Sequence, residues 1–424
     1  MEKENSKIFD VAVIGGGPAG MMAAGRAGEL GAKVLLLEKN KFLGRKLLIT
    51  GKGRGNITRA EFDYRELLKK YGREGDFLLH ALSIFGPKEI VDFFEKRGLR
   101  MKVERGKRIF PETDSAKDVL DILTGYLAEN KVEIMTNSEV KEIIANQNRI
   151  SKIVLKNAMP AGRQGKDISA KNYIIATGGK AFPGTGSTGS GYLWAEKLGH
   201  TVAKLRPALV PIKIKEDWPK KLQGLSLKNV ELTVLQNGKK RDSRFGELLF
   251  THFGLSGPIV LDLSGHIGEL QEKEEVKLIL DLKPALSEQD LDKRIQSDFI
   301  KYNNKFFKNS LNDLLPQKLI PVIMELSGID PLKKVNVITK EERRGLAKIF
   351  KNLEMTVSSL LGFESAIVTS GGVLLREIDS KTMQSKLIEN LFFAGEIINL
   401  HGPTGGYNLQ VCWSSGYLAG QNAV

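Results

Sequence analysis

Apolar and polar positions along this chain switch between the strand period and the helix period, and the first switch carries the most information. A short apolar run at 11–14 stops at Gly15-Gly16-Gly17-Pro18-Ala19-Gly20. A small-residue stretch of helical period follows, and a second apolar run at 34–37 ends in Glu38. Strand, glycine turn, helix, strand and acid, in that order, is what a dinucleotide site needs. Gly15 allows the tight turn, Gly17 lets the backbone approach a pyrophosphate, and Gly20 lets the helix pack on the strand. Pro18 and Ala19 open the helix, whose N-terminus offers N–H groups and partial positive charge to phosphates. Glu38 stands where a carboxylate accepts hydrogen bonds from a ribose. A glycine turn in an unrelated α/β unit is the alternative, and it has no need of an acid in that register.

Further along, the periods predict a loop to about residue 59, helices around 65–97, and an amphipathic helix over 115–129 opened by a Ser cap. Residues 131–156 and 169–176 alternate like strands, with a flexible hairpin loop at 157–167 between them. A buried strand at 173–179 runs into Thr177-Gly178-Gly179. Strand-like runs at 208–214, 229–236, 247–252, 258–263 and 276–282 make 201–282 mostly β, and 286–352 reads as helical and strongly charged. The β pattern returns at 365, an apolar strand at 391–396 ends in Gly395-Glu396, and the chain finishes as an apolar helix rich in small residues. No internal repeat is seen. The expected architecture is an α/β, split Rossmann-type FAD-binding domain of the glutathione-reductase type (1–200 and 355–424). It is interrupted by an inserted β-rich domain (201–285) and a small helical domain (286–354).

FAD rather than NAD follows from the late segment. NAD domains usually complete their site within the first half-domain, whereas the flavin end of FAD is held by a returning strand and helix. Glu396 can accept a hydrogen bond from the ribityl chain. Gly405-Gly406-Tyr407-Asn408-Leu409-Gln410 opens a helix whose N-terminus can face the N1–C2=O edge of a flavin. Residues 184–191 (GTGSTGSG) contain a second GxGxxG, but no strand leads into it and no acid follows at the right distance. It is rejected as a nucleotide fingerprint, so no dedicated NAD(P)H domain is expected.

Charge and cysteine usage narrow the setting. The 424 residues hold 64 Lys plus Arg against 50 Asp plus Glu, a net charge of +14. Residues 39–59 carry Lys39, Lys41, Arg45, Lys46, Lys52, Arg54 and Arg59 with no acid, and residues 96–108 add seven more cations against Glu104 alone. Solvated surface and the cofactor's own phosphates account for part of this; a polyanion such as RNA is the sharper explanation. The single cysteine, Cys412, excludes an internal disulfide and a cysteine-rich zinc or iron–sulfur site, and fits a reducing, cytoplasmic setting. No apolar run approaches the roughly 18 residues of a membrane span, and the polar start lacks a signal-peptide core.

Several stretches resemble one family, the BaiN-like (YhiN- or RdsA-like) flavoproteins often labelled the aminoacetone oxidase family. They are GRKLLITGKGRGNIT (44–58), ATGGKAFPGTGSTGSGY (176–192), PALVPI (207–212), GELLFTHFGLSGP (246–258) and AGEIINLHGPTGGYNLQVCWSSGYLAG (394–420). The resemblance implies that Arg45, Lys46, Gly51 and Asn56 form a basic loop near the flavin. It also implies that the Val140 backbone approaches the adenine, and that Glu396, Asn408 and Leu409 contact the ribityl chain and isoalloxazine. Two positions depart from the family pattern: Gly55 replaces a cysteine in the loop, and Ser190 replaces an aspartate.

The activity implied is hydride delivery from reduced FAD to a C=C bond conjugated with a carbonyl, with NAD(P)H as transient reductant and a side chain supplying a proton. His401 and Tyr407 are the leading proton donors by motif position, with His252, Lys52 and Arg54 behind them. Arg54 is too basic to be an acid and suits an anion contact better. Cys412, within the apolar helix, reads as buried filler. The family's activities diverge between uridine in ribosomal RNA, giving dihydrouridine, and small-molecule enones of the bile-acid type. The basic excess favours RNA. An amine oxidase and a non-catalytic, flavin-carrying RNA-binding protein are the other readings. No metal is expected, and oligomeric state is left open.

Overall fold

Five short apolar strands, all parallel, form the central sheet in a computed structural model that describes residues 8–156 and 167–424. Their order is Leu391–Phe393, Ala170–Ile175, Phe9–Ile14, Val34–Leu37, Glu133–Met135. Near-continuous burial of Leu391–Phe393, Phe9–Ile14 and Val34–Leu37 is what a parallel sheet covered on both faces requires, while the edge strand Glu133–Met135 is partly exposed. The chain's last strand thus lies beside a strand formed more than two hundred residues earlier. The helix Pro18–Glu29 packs on the sheet. The C-terminal helix Tyr407–Asn422 packs against it so closely that a Cβ on Gly416 or Gly420 would stand 2.5 Å or 2.3 Å from the carbonyl oxygens of Ala19 and Ala23.

Ser115 caps the helix Ala116–Glu129, its Oγ accepting from the Asp118 N–H at 3.4 Å. Two small antiparallel sheets flank the centre. One pairs Thr58–Arg59, Arg108–Pro111 and Met101–Glu104; the other pairs Val140–Asn146, Arg149–Leu155 and Asp167–Ile168. The hairpin loop expected at 157–167 lies, apart from Asp167, outside the described residues.

The chain divides into two units, one built from its two ends (up to Pro207 and from Ala366) and one from Ala208–Ser365. The second unit is a closed six-stranded barrel, in the order Ile212–Ile214, Gly254–Ser256, Lys239–Thr251, Ser226–Gln236, Lys277–Asp281, Leu353–Leu360. Its helices bury Leu291, Ile295, Phe299, Leu346 and Phe350 in the same apolar cluster as the barrel residues Leu232, Leu278 and Met355. The β-rich and helical regions expected as separate domains therefore share one core, because an amphipathic helix needs an apolar face to cover and the barrel provides it. The strand Leu353–Leu360, which straddles the expected boundary at 355, lies wholly within the barrel.

One expected strand is a helix. Residues 258–263 begin the helix Pro258–Gln271, with Pro258 in its first turn and Gly257 before it at φ +95°. Ile259, Val260, Leu263 and Ile267 are buried at helical spacing. Six mostly apolar residues, Ile259 and Val260 among them, are too short a window for the period to be legible. Among the described residues, no helix is long and apolar enough to cross a membrane.

Candidate functional site

The three fingerprint glycines are glycine for different reasons. Gly15 has φ +112°, and a Cβ there would stand 2.5 Å from the Ala176 carbonyl oxygen; on Gly20 it would stand 1.8 Å from that of Gly15. Protein packing alone demands both. A Cβ on Gly17 would meet nothing within 4 Å, although Gly17 caps the helix Pro18–Glu29. The chain itself gives no steric reason for glycine there, and the open space at a helix N-terminus fits a pyrophosphate approaching the backbone.

Glu38, at the end of the second strand, is buried and held by the same turn. Its Oε2 accepts from the Gly16 N–H at 2.8 Å, and its Oε1 accepts from the Asn40 N–H at 2.8 Å and the Asn40 amide at 2.6 Å. Asn40 Oδ1 accepts from Arg45 at 2.9 Å. Lys39 donates to the Thr188 hydroxyl at 2.8 Å, and burial lowers its pKa. Ser190 lies within 3.0 Å of the same hydroxyl. The rejected GTGSTGSG segment thus folds against the acid end of the second strand. The Ser138 N–H donates to the Glu38 carbonyl at 2.9 Å. This brings Val140, buried two residues on, to the same corner.

The opposite end of the cradle centres on Glu396. Its Oε2 accepts from Lys46 at 2.9 Å and its Oε1 from the Thr369 N–H at 2.7 Å. Lys46 also donates to the Ala181 carbonyl at 3.2 Å. The Thr369 hydroxyl accepts from the N–H groups of Lys180 and Ala181 at 2.7 and 3.0 Å. Thr177 and Gly178 run past this carboxylate: Thr177 Oγ1 is buried without a partner, and a Cβ on Gly178, at φ +71°, would stand 4.0 Å from Glu396 Oε2. The N–H of Gly395 (φ +78°) donates to Ser415 Oγ at 2.9 Å, and a Cβ on this glycine would stand 2.7 Å from Ala19 Cβ. Cys412 lies next to it, and desolvation, assisted by Glu396, pushes its thiol up to about 12.

The loop between them has an unusual backbone. Gly51, Lys52, Gly53 and Gly55 all have positive φ, between +57° and +86°. Arg54, expected at an anion, is instead engaged by acids of this chain: it pairs with Glu104 and with Asp114, the latter at 2.5 Å, and stacks 4.2 Å over Phe110. Those acids come from residues 50 and 60 positions away, which is why the local charge run concealed the pairing. Gly55, the cysteine position of the resemblance, is buried. A Cβ there would stand 3.1 Å from Ala116 Cα at a φ of +74°, a conformation that favours glycine.

Asn56 ties this loop to the C-terminal helix. In the orientation that satisfies its amide, it donates to the Thr58 and Ile109 carbonyls at 3.0 and 3.1 Å and accepts from the Gly406 N–H at 3.0 Å. Gly406 (φ +102°) rests against Thr58, where a Cβ would stand 2.5 Å from the carbonyl oxygen. Asn408 accepts from the Gly402 N–H and donates to the Gly402 carbonyl, both at 2.9 Å, clasping the loop that carries His401. Leu409 is half-buried against the core. Tyr407 is buried, meets Tyr71 edge-on at 5.9 Å, and lies under Arg59 at 5.3 Å. His252, on the turn between two barrel strands, belongs to the second unit. Asn40, Thr188 and Thr369 were not singled out from the sequence. Asn40 was findable two residues past the acid, whereas nothing local marks Thr369.

The cradle has an open glycine at a helix head, an oriented acid at one end and a second carboxylate beside a returning helix at the other. It fits a dinucleotide with a flavin at its far end. Comparison with known proteins agrees. The HI0933-like protein Rossmann domain family matches residues 9–422. The chain is 32% identical to a 3-dehydro-bile acid delta(4,6)-reductase from Clostridium scindens, covering 98% of both chains. It is 31% identical to a ribosomal RNA dihydrouridine synthase from Escherichia coli, again covering 98% of both. Among solved structures, a 3-ketosteroid delta1-dehydrogenase from Sterolibacterium denitrificans shares the fold at TM-score 0.53 and 14% identity, over 99% of both chains. The protein is therefore an FAD-dependent oxidoreductase and belongs to the HI0933-like Rossmann-domain family.

Proposed function

We propose that this protein is a cytoplasmic reductase that uses NAD(P)H to reduce a C=C bond conjugated with a carbonyl, with uridine in ribosomal RNA as substrate. Bound FAD supplies the hydride for such an addition. The residues of this chain have the remaining tasks. Gly17 and the helix it caps receive the phosphates, Glu38 the ribose, and Glu396, held by Lys46 and Thr369, the chain leading to the flavin. His401, on the loop clasped by Asn408, is our candidate for delivering a proton to the substrate; Tyr407, buried edge-on against Tyr71, is the second.

The observation that carries the RNA reading is the charge on the loop that leads from Glu38 toward the C-terminal helix. Lys46 and Arg54 are offset by Glu396, Glu104 and Asp114, but Lys41, Arg45 and Lys52 are exposed and pair with no carboxylate among the described residues. A polyanion takes advantage of such a rim; a small apolar enone does not. The Clostridium scindens relative supports a second reading, reduction of a bile-acid-type enone.

Anaerobic reduction of the flavin by NADH or NADPH, followed by reoxidation with ribosomal RNA or with a steroid enone, separates the two. Rapid reoxidation by RNA alone, and loss of one dihydrouridine from the rRNA of cells lacking the gene, is the expected result. An unchanged nucleoside profile with reoxidation by the enone alone reverses the assignment.

A further inference from the structure

Arg59 and Arg108 face each other directly across the antiparallel pairing of Thr58–Arg59 with Arg108–Pro111. Like charges directly opposite on a sheet destabilise it, and neither guanidinium has a carboxylate partner among the described residues. Arg59 is half-buried; its Nε is sealed from solvent without a hydrogen-bond partner, and the ring of Tyr407 lies beneath its guanidinium. Arg108 gives only one N–H, to the Arg105 carbonyl at 3.3 Å. Nearby cations are compensated: Lys107 pairs with Glu61 at 2.8 Å and Lys102 with Asp114 at 2.6 Å. Within this small sheet the two arginines thus face each other without the carboxylate partners that Lys102 and Lys107 have.

The pair borders the start of the C-terminal helix. A Cβ on Gly405 would stand 3.5 Å from Arg59 Nη1 and 3.9 Å from Arg108 Cγ. Both arginines therefore flank the glycines that open a 16-residue helix, whose N-terminal end also attracts negative charge. The Arg59 guanidinium and the stem of Arg108 border that end, while the Arg108 guanidinium lies 5.9 Å over the Phe110 ring; together the two forks suit an anion with at least two exposed oxygens. A phosphodiester offers one non-bridging oxygen to each fork, while a lone carboxylate is already satisfied by one.

We propose that Arg59 and Arg108 together grip a backbone phosphodiester of the RNA substrate, and so position the nucleotide to be reduced. The inference rests on the RNA reading above. A contact of this kind sets register and affinity without reading a base.

The test uses the full-length FAD-loaded protein and a fluorescein-labelled oligouridylate, with binding followed by anisotropy across a salt series. Arg59→Ala and Arg108→Ala should each weaken binding by on the order of tenfold and lower the salt slope by roughly 0.7, with FAD content unchanged. Arg59→Lys should recover part of the loss. A single uncharged methylphosphonate linkage, scanned along the oligonucleotide, should weaken the wild type at one position and leave both alanine variants indifferent there. Three results overturn the proposal: wild-type affinity and slope in both variants, loss of FAD instead of RNA, or a loss seen only with a carboxylate-bearing enone. Reoxidation of the reduced flavin by RNA is scored separately. If RNA does not reoxidise it while the arginine-dependent grip persists, the substrate assignment fails and the phosphodiester seat stands.

Discussion

Lys46 Nζ lies 2.9 Å from Glu396 Oε2, an ion pair that joins residues 350 positions apart. The lysine belongs to the loop after the second strand, and the glutamate follows the last strand of the sheet. Both side chains are largely withdrawn from water, so removing either one leaves the other's charge poorly solvated, at a cost of about 1–3 kcal/mol. Lys46→Ala and Glu396→Ala should each lower the midpoint of thermal unfolding and the FAD content of the purified protein. The double variant should lose less than the sum of the two. Strictly additive losses would show that the pair is not coupled.

Gly17 and Gly20 should separate cofactor binding from folding. Gly20→Ala places a methyl 1.8 Å from the Gly15 carbonyl oxygen and should destabilise the protein by on the order of 3 kcal/mol or prevent its folding. Gly17→Ala adds a methyl into open space at an ordinary φ of −83°. Its apo-protein should unfold at the wild-type temperature, while FAD affinity falls by roughly tenfold or more, equivalent to about 1.4 kcal/mol. A Gly17→Ala protein that retains full FAD affinity would remove the pyrophosphate from this position.

Asn56 uses both ends of its amide, and the two ends can be tested apart. Asn56→Ala should cost about 1–3 kcal/mol through the unpaired Gly406 N–H and the two carbonyls left behind. Asn56→Asp keeps an acceptor for Gly406 but turns a second carboxylate oxygen toward the Thr58 and Ile109 carbonyls. It should therefore unfold at a lower temperature than the alanine variant near neutral pH. The reverse ranking would argue against the donor role.

Cys412 should be chemically quiet. Burial raises its thiol to about 12, so native-state alkylation by iodoacetamide should stay slow from pH 7 to 9.5, a range in which an ordinary thiol near 8.5 accelerates. Unfolding in denaturant should release the reaction. The linkage has a definite sign. Above about pH 9 the unfolded chain loses this proton and the native state keeps it, so this group's effect on stability is a decline with rising pH between about 9 and 12. Cys412 is half-buried, so rapid labelling of the native protein at pH 8 would contradict the raised thiol.

Much of the cradle was legible from sequence because its signals are local. The turn glycines, the acid closing the second strand and the Ser115 cap each depend on neighbours a few residues away, and each is where the periods put it. The segment 258–263 reads as a strand because a six-residue, mostly apolar window containing Ile259 and Val260 satisfies either period; only its continuation to Gln271 separates them. Arg54 was misjudged because its carboxylate partners lie in a hairpin that sequence cannot bring to it. Thr369 is invisible in the sequence because its hydroxyl serves the backbone N–H groups of Lys180 and Ala181, nearly two hundred positions away.

Order along the chain was thus sufficient for the glycine turn, the cofactor class and the return of the C-terminus to complete the first unit, since turn chemistry and hydrophobic period are properties of short stretches. Folding in three dimensions settled the rest. It decided which cations are neutralised, that barrel and helices share one core, and that Arg59 and Arg108 are set against each other beside the last helix. Coulomb interactions and apolar burial act through space, and residues that meet there can be hundreds of positions apart.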